Sequence, residues 1–124
     1  MLGSNKVTCF VCTTDYKRAR AFYEEILGLK FVSEDQFAMV LNANGTMLRI
    51  ARFPDLKPAP FTVLGWETSK IETQVSELEK RGVQFERYPW MAESGMAIWT
   101  APTGDKVAWF KDPDGNVLSL SQHV

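Results

Sequence analysis

The sequence has one histidine, two cysteines and no long hydrophobic run, and its charge is almost balanced. Fourteen Lys and Arg stand against fifteen Asp and Glu for a net charge of −1. Without a basic cluster there is no surface to track phosphates, so nucleic acid is not an expected partner. No stretch approaches the roughly 20 apolar residues that a bilayer span requires, so no membrane partner is expected either. The opening "MLGSNKVTCFV" has neither a long apolar run nor a small-residue cleavage site, and the expected location is the cytoplasm. Cys9 and Cys12 sit in "VTCFVCT", which reads as a strand. Side chains three apart on a strand point to opposite faces, so neither a shared chelate nor a local disulfide is favoured. Two independent reduced thiols are expected.

What is present is the composition of one folded domain: 124 residues, 45% hydrophobic and 23% charged. After the first strand the apolar period changes. Ala19, Phe22, Tyr23, Ile26 and Leu27 recur at spacings of three and four, which predicts a helix capped by Thr14 or Asp15 and ended by Gly28. Strand-like runs over Phe37 to Leu41 and Thr46 to Phe53 flank "NANG", a hairpin signal. Pro54, Pro58 and Pro60 then break any ladder or helix and predict an extended linker. The order repeats beyond it. "FTVLGWET" reads as a strand, Ser69 to Glu72 as an S-x-x-E capping box, and Ile71, Val75 and Leu78 as a helical stripe ending at Gly82. "GLKF" at Gly28 and "GVQF" at Gly82 share one pattern at an offset of 82 − 28 = 54 positions, which implies two copies of one unit. "MAIWTA", a Pro-Thr-Gly-Asp turn, "KVAWFK", an Asp-Gly-Asn turn and "VLSLS" complete the second copy.

The chain therefore reads as a single domain of two βαβββ modules, about residues 5–53 and 61–122. The fold class is α+β. Each sheet can cover only one face with its helix, so the predicted architecture is a curved mixed sheet around a cleft. Alternation assigns the faces. Thr8, Phe10 and Cys12 oppose Val7, Cys9 and Val11, and the Leu118 and Leu120 pair should pack under a helix, turning Ser119 and Ser121 toward the cleft. With Lys111 opposite Val117 across the last turn, Trp109 stands beside Ser119.

Three stretches carry a resemblance. "TTDYKRARAFYEEILGLKF", "GWETSKIETQVSELEKRGVQFE" and "AWFKDPDGNVLSLSQ", in this order within a duplicated βαβββ pattern, resemble the vicinal oxygen chelate superfamily of glyoxalases, bleomycin resistance proteins and extradiol dioxygenases. The resemblance implies a cleft that holds a divalent metal through His, Gln or Glu, with open positions for substrate. It places those ligand positions on Thr8, Arg49, Val63 and Ser119. Val63 has no donor atom and Arg49 would set a fixed positive charge beside any cation, so the expectation is a member without metal or other cofactor. The family commonly dimerises, and a homodimer is expected on that ground.

Among family members the metal-free binding proteins fit best. The predicted function is binding or sequestration of an apolar or aromatic small molecule in an aromatic cleft. The alternative is a glyoxalase-like lyase or isomerase, similar to lactoylglutathione lyase, acting on a small carbonyl or thiol-conjugate substrate. The expected ligand-binding residues are Thr8, Phe10, Cys12, Arg49, Val63, Glu67, Trp90, Trp109 and Ser119. Arg49 is either an anchor for an anionic or carbonyl group or an ion-pair partner of Glu67. Trp66 is expected on the helix face, Trp99 on either face, and Trp90 in the irregular "YPWM" segment that in this family often closes over ligand. For metal-free catalysis the cleft side offers Cys12, Glu67 and Ser121. No histidine lies near Cys12, no signature joins Glu67 to a proton acceptor, and His123 lies past the last paired residue of its strand, so no catalytic residue is assigned.

Overall fold

Alternation sorts the first strand, β1 (Thr8–Thr13), by face: Val11 and Thr13 are buried, whereas Thr8 and Phe10 are exposed. The computed structural model describes residues 1–124, and they form two compact units, Met1–Lys57 and Pro58–Val124, divided within the proline-rich segment.

In the first unit Asp15 ends β1 and caps α1 (Tyr16–Arg20), its carboxylate accepting from the Lys17 and Arg18 amides at 2.9 and 3.3 Å. The helix then widens. Ala21–Ile26 is π-helical, and the Leu27 amide reaches the Phe22 carbonyl at 2.9 Å. The predicted stripe survives this change, because Ala19, Phe22 and Tyr23 are all buried. Gly28 takes the exit at φ +81°, a left-handed conformation costly for a residue with a Cβ.

The chain continues through β2 (Lys30–Glu34), β3 (Met39–Ala43) and β4 (Thr46–Arg52). β3 starts two residues later than the apolar run suggested. Asp35 accepts from the Phe37 and Ala38 amides at 2.7 and 3.0 Å, so Phe37 belongs to a turn and is left exposed. The Asn44-Gly45 hairpin forms as its residues predict, both with positive φ. The sheet order is β1-β4-β3-β2, with β1 parallel to β4 and the other pairs antiparallel. Met39, Leu41, Leu48 and Ile50 are fully buried on one face.

The second unit repeats the order with β5 (Thr62–Glu67), α2 (Ile71–Lys80), β6 (Trp99–Thr100), β7 (Lys106–Lys111) and β8 (Val117–Gln122). Its sheet order, β5-β8-β7-β6, matches the first position for position. The chain is α+β, with two four-stranded mixed sheets. Ile71 and Val75 of α2 are buried, as are Ala108, Phe110, Leu118 and Leu120 of the sheet. Trp66 stacks on Phe110 with ring centroids 6.4 Å apart, half-buried on the helix side.

Two local expectations are corrected. The Ser69–Glu72 capping box does not form: the cap residue is Lys70, with no side-chain cap bond of its own. The Ile71 amide instead donates to Gln122 Oε1 of β8 at 2.9 Å, and a distant glutamine replaces the local cap. The "MAIWTA" run forms only a two-residue strand, because Phe85 and Glu86 occupy the rest of that edge. Phe85 bridges Phe110, and the Glu86 amide donates to the Trp109 carbonyl at 2.7 Å.

Candidate functional site

The shared edge of β7 builds the main cluster. The chain leaves it at Glu86, beside Trp109, and returns at Trp99, opposite Val107. The segment between these anchors must fold back on itself. Arg87 holds it there, its two terminal nitrogens donating to the carbonyls of Ala92 and Gly95 at 2.7 and 2.6 Å. Met91 is buried beneath, and its sulfur accepts from the Tyr88 amide at 3.3 Å.

This fold-back gathers four rings. Trp90 meets Trp109 edge-on at 5.3 Å and Trp99 edge-on at 5.4 Å, while Tyr88 stacks on Trp90 at 5.5 Å with 11° between planes. Tyr88 also meets Trp109 edge-on at 5.6 Å. Such pairs contribute about 0.5–1.5 kcal/mol each beyond their buried area, enough to fix the ring positions in an irregular segment. Trp90 is nevertheless 57% exposed, and the other three rings are half-buried. The cluster offers solvent a rigid aromatic surface.

Register places the remaining residues of this unit. Trp109 pairs with Ser119 and Lys111 with Val117, as the final turn implies, and Ser119 pairs in turn with Gly65. Trp99, Val107, Ser121 and Glu67 form the adjacent row across all four strands. Glu67, Trp109 and Ser119 thus share one sheet face, and Trp90 joins Trp109 from the loop. Val63 does not fall into line with them. β5 advances two residues, Thr62 to Leu64, while β8 advances one, so Val63 bulges from the ladder and is 41% exposed.

In the first unit Thr8, Phe10 and Cys12 are brought to one face, with Arg49 the direct partner of Phe10 across β1 and β4. Phe10 is 64% exposed, and Arg49 Nη1 lies 4.0 Å from Met47 Sδ. Cys9 and Cys12 are both half-buried. An open depression in the second unit, about 670 Å³, is lined by Glu79, Val83, Phe85, Arg87 and Met96 and includes none of the predicted site residues.

Sequence reasoning left Trp99 undecided and missed Arg87 and the surroundings of His123. Trp99 was legible in principle, through the pairing across the 101–105 turn. Arg87 was not, because its partners are carbonyls in a segment with no periodicity. His123 extends past β8 and places Nε2 3.0 Å from Ser121 Oγ, while its Nδ1 lies 3.5 Å from Asp105 Oδ2. Asp105 also accepts from the Val124 amide at 3.0 Å, and that bond, helped by His123, holds its carboxyl below the ordinary range.

The side chains at the implied metal positions do not fit a divalent cation. Thr8 and Ser119 are neutral hydroxyls, Arg49 is itself a cation, and Val63 has no donor. Nowhere do three His, Cys, Asp or Glu side chains gather as a group that could hold a metal ion.

Comparison with known families matches residues 6–120 to the Glyoxalase/Bleomycin resistance protein/Dioxygenase superfamily. The chain belongs to this superfamily. No curated protein matches it in sequence. Among solved structures, the superfamily fold appears in a bleomycin-binding protein complexed with bleomycin, at 25% identity and TM-score 0.73, covering 98% of this chain and 100% of that one. A bleomycin resistance determinant encoded on the transposon Tn5 is also 25% identical, with TM-score 0.75 and coverage of 97% and 98%. A lactoylglutathione lyase from Agrobacterium tumefaciens shares the fold at 16% identity and TM-score 0.73, over 96% of this chain and 93% of that one. No helix of this superfamily member is long and apolar enough to cross a membrane.

Proposed function

We propose that the protein is a metal-free, cytoplasmic, homodimeric binding or sequestration protein for flat aromatic or apolar small molecules. The observation that carries this reading is the cluster of Tyr88, Trp90, Trp99 and Trp109 with Trp90 open to solvent. Four rings already fixed against one another can stack on a ligand with little ordering cost. Ser119 and Glu67 supply polar groups on the same face of that sheet. Taken by itself, the first unit presents Phe10 beside Arg49, an exposed ring next to a fixed cation that suits an anionic or carbonyl group, with Thr8 and Cys12 on the same strand face. In the second unit Val63 offers an exposed apolar side chain. The 25% identity to a bleomycin-binding protein and to a bleomycin resistance determinant supports sequestration over the lyase alternative, for which the implied ligand positions carry no histidine or carboxylate.

The test is titration with bleomycin and with planar aromatic dyes, read by tryptophan fluorescence and thermal shift. A ligand at a hundred times its Kd should stabilise the fold by about 2.7 kcal/mol. Trp90→Ala and Trp109→Ala should each weaken binding about tenfold, a loss of roughly 1.4 kcal/mol. Unchanged affinity in both variants, or one equivalent of Ni, Zn, Mn or Fe retained through purification, would sink the reading.

A further inference from the structure

The strand face that carries Trp109 also carries Ser121, whose hydroxyl leads to an imidazole and a carboxylate just beyond the paired strands. Ser121 Oγ lies 3.0 Å from His123 Nε2, and His123 Nδ1 lies 3.5 Å from Asp105 Oδ2. Each imidazole nitrogen therefore faces a different partner, a hydroxyl on one side and a carboxylate on the other. With Nδ1 protonated toward Asp105, Nε2 presents its lone pair to the serine hydroxyl, the arrangement by which a histidine activates an alcohol.

The surroundings hold this geometry in place. The Ser121 carbonyl accepts from the Thr68 amide at 2.8 Å, and the next side chain, Gln122, is tied to the Ile71 amide at 2.9 Å, so the end of β8 is fixed on both sides of the nucleophile. Asp105 is oriented by the Val124 amide at 3.0 Å, which leaves its second oxygen for His123. The site is open to water: the His123 side chain is 52% exposed and that of Asp105 32%. Trp99 lies in the same cross-strand row as Ser121, with Val107 between them, and Trp109 in the next row.

We propose that Ser121, His123 and Asp105 form a hydrolytic triad that cleaves small carboxylic esters of aromatic alcohols. Ser121 Oγ attacks the ester carbonyl carbon and forms a C–O bond while its proton passes to His123 Nε2. The tetrahedral adduct collapses, the bond to the aryl oxygen breaks, and His123 returns the proton to that oxygen, releasing a phenol. Water then attacks the acyl-serine, giving its proton to Nε2, and the carboxylic acid leaves as Ser121 recovers its hydrogen. Ester and water become acid and phenol with no oxidant or cofactor. The relay stands on its own geometry, whereas the preference for an aryl group rests on the aromatic-binding reading.

The experiment measures hydrolysis of p-nitrophenyl acetate and ethyl acetate by the full chain, with mass spectrometry of the acid-quenched protein. The result expected is an acetyl group on Ser121, with kcat/KM lowered about a hundredfold by Ser121→Ala and by His123→Gln, and less steeply by Asp105→Asn. Ser121→Cys should remain acylated, which separates loss of the nucleophile from loss of the fold. Acetyl on a lysine or on His123 alone, full activity in Ser121→Ala, or dependence on Glu67→Gln in place of His123→Gln would overturn the triad. Equal loss on aryl and alkyl esters in Trp109→Ala, with Ser121 still acylated, would leave the triad standing and overturn the aromatic reading.

Discussion

Gly65 sits where β5 passes closest to Ser119. A Cβ there would lie 2.6 Å from Ser119 Oγ and 3.3 Å from its carbonyl oxygen. The hydroxyl can rotate away, but the carbonyl is fixed in the ladder, so Gly65→Ala should destabilise the chain by about 1–2 kcal/mol. Adding Ser119→Ala removes the nearer atom and should return part of that loss. A urea-unfolding double-mutant cycle checks this; strictly additive effects would contradict it. Ser119 itself was legible from the sequence, because the turn before it is over-determined. Asp112 Oδ1 accepts from the Asp114 and Asn116 amides, both at 2.9 Å, and Oδ2 accepts from Asn116 Nδ2 at 2.8 Å. A turn so tied fixes the register of Trp109 against Ser119. The demand for glycine at position 65 was not legible, because it arises from a strand far along the chain.

At the scale of elements, the two helices show where local sequence patterns succeed and where they are overridden. Asp15 caps α1 as its type and position predict. The S-x-x-E pattern before α2 matches a capping box equally well, yet the first helical amide is taken by Gln122 across a tertiary contact. Ser69→Ala should therefore change stability little. Gln122→Ala should cost about 1 kcal/mol, the usual net value of a hydrogen bond to a helix end. Thermal unfolding of the two variants decides between local and tertiary capping; a larger loss from Ser69→Ala would mean that the box forms after all. The loop from Tyr88 to Gly95 lies beyond such patterns. Its shape comes from one arginine bonded to two carbonyls and from ring-on-ring packing, neither of which has a period.

For the whole molecule, repetition made the fold readable. The matching helix exits at Gly28 and Gly82, both left-handed, announce two copies of one unit, and the two sheets have the same strand order. Within each unit, candidate residues were readable where strand alternation assigns a face, as for Phe10 in the first and Glu67, Trp109 and Ser119 in the second. They were hidden where a loop or a strand end supplies the side chain, as for Arg87 and His123.

Each unit also carries a backbone-bonded carboxylate held below its ordinary value, Asp35 in the first and Asp105 in the second, and together these make an acid response predictable. Asp35 is held below its ordinary value mainly by the Phe37 and Ala38 amides, and Asp105 by the Val124 amide. A carboxyl lowered on folding contributes stability that is fully present above its unfolded value and is lost as pH falls through its folded one. The urea midpoint should thus decline as pH drops from about 5 toward about 3. Asp35→Asn and Asp105→Asn should each lower the midpoint at neutral pH and flatten the decline, and the double variant should flatten it further. An acid slope identical in parent and double variant would show that the lost stability comes from other carboxylates.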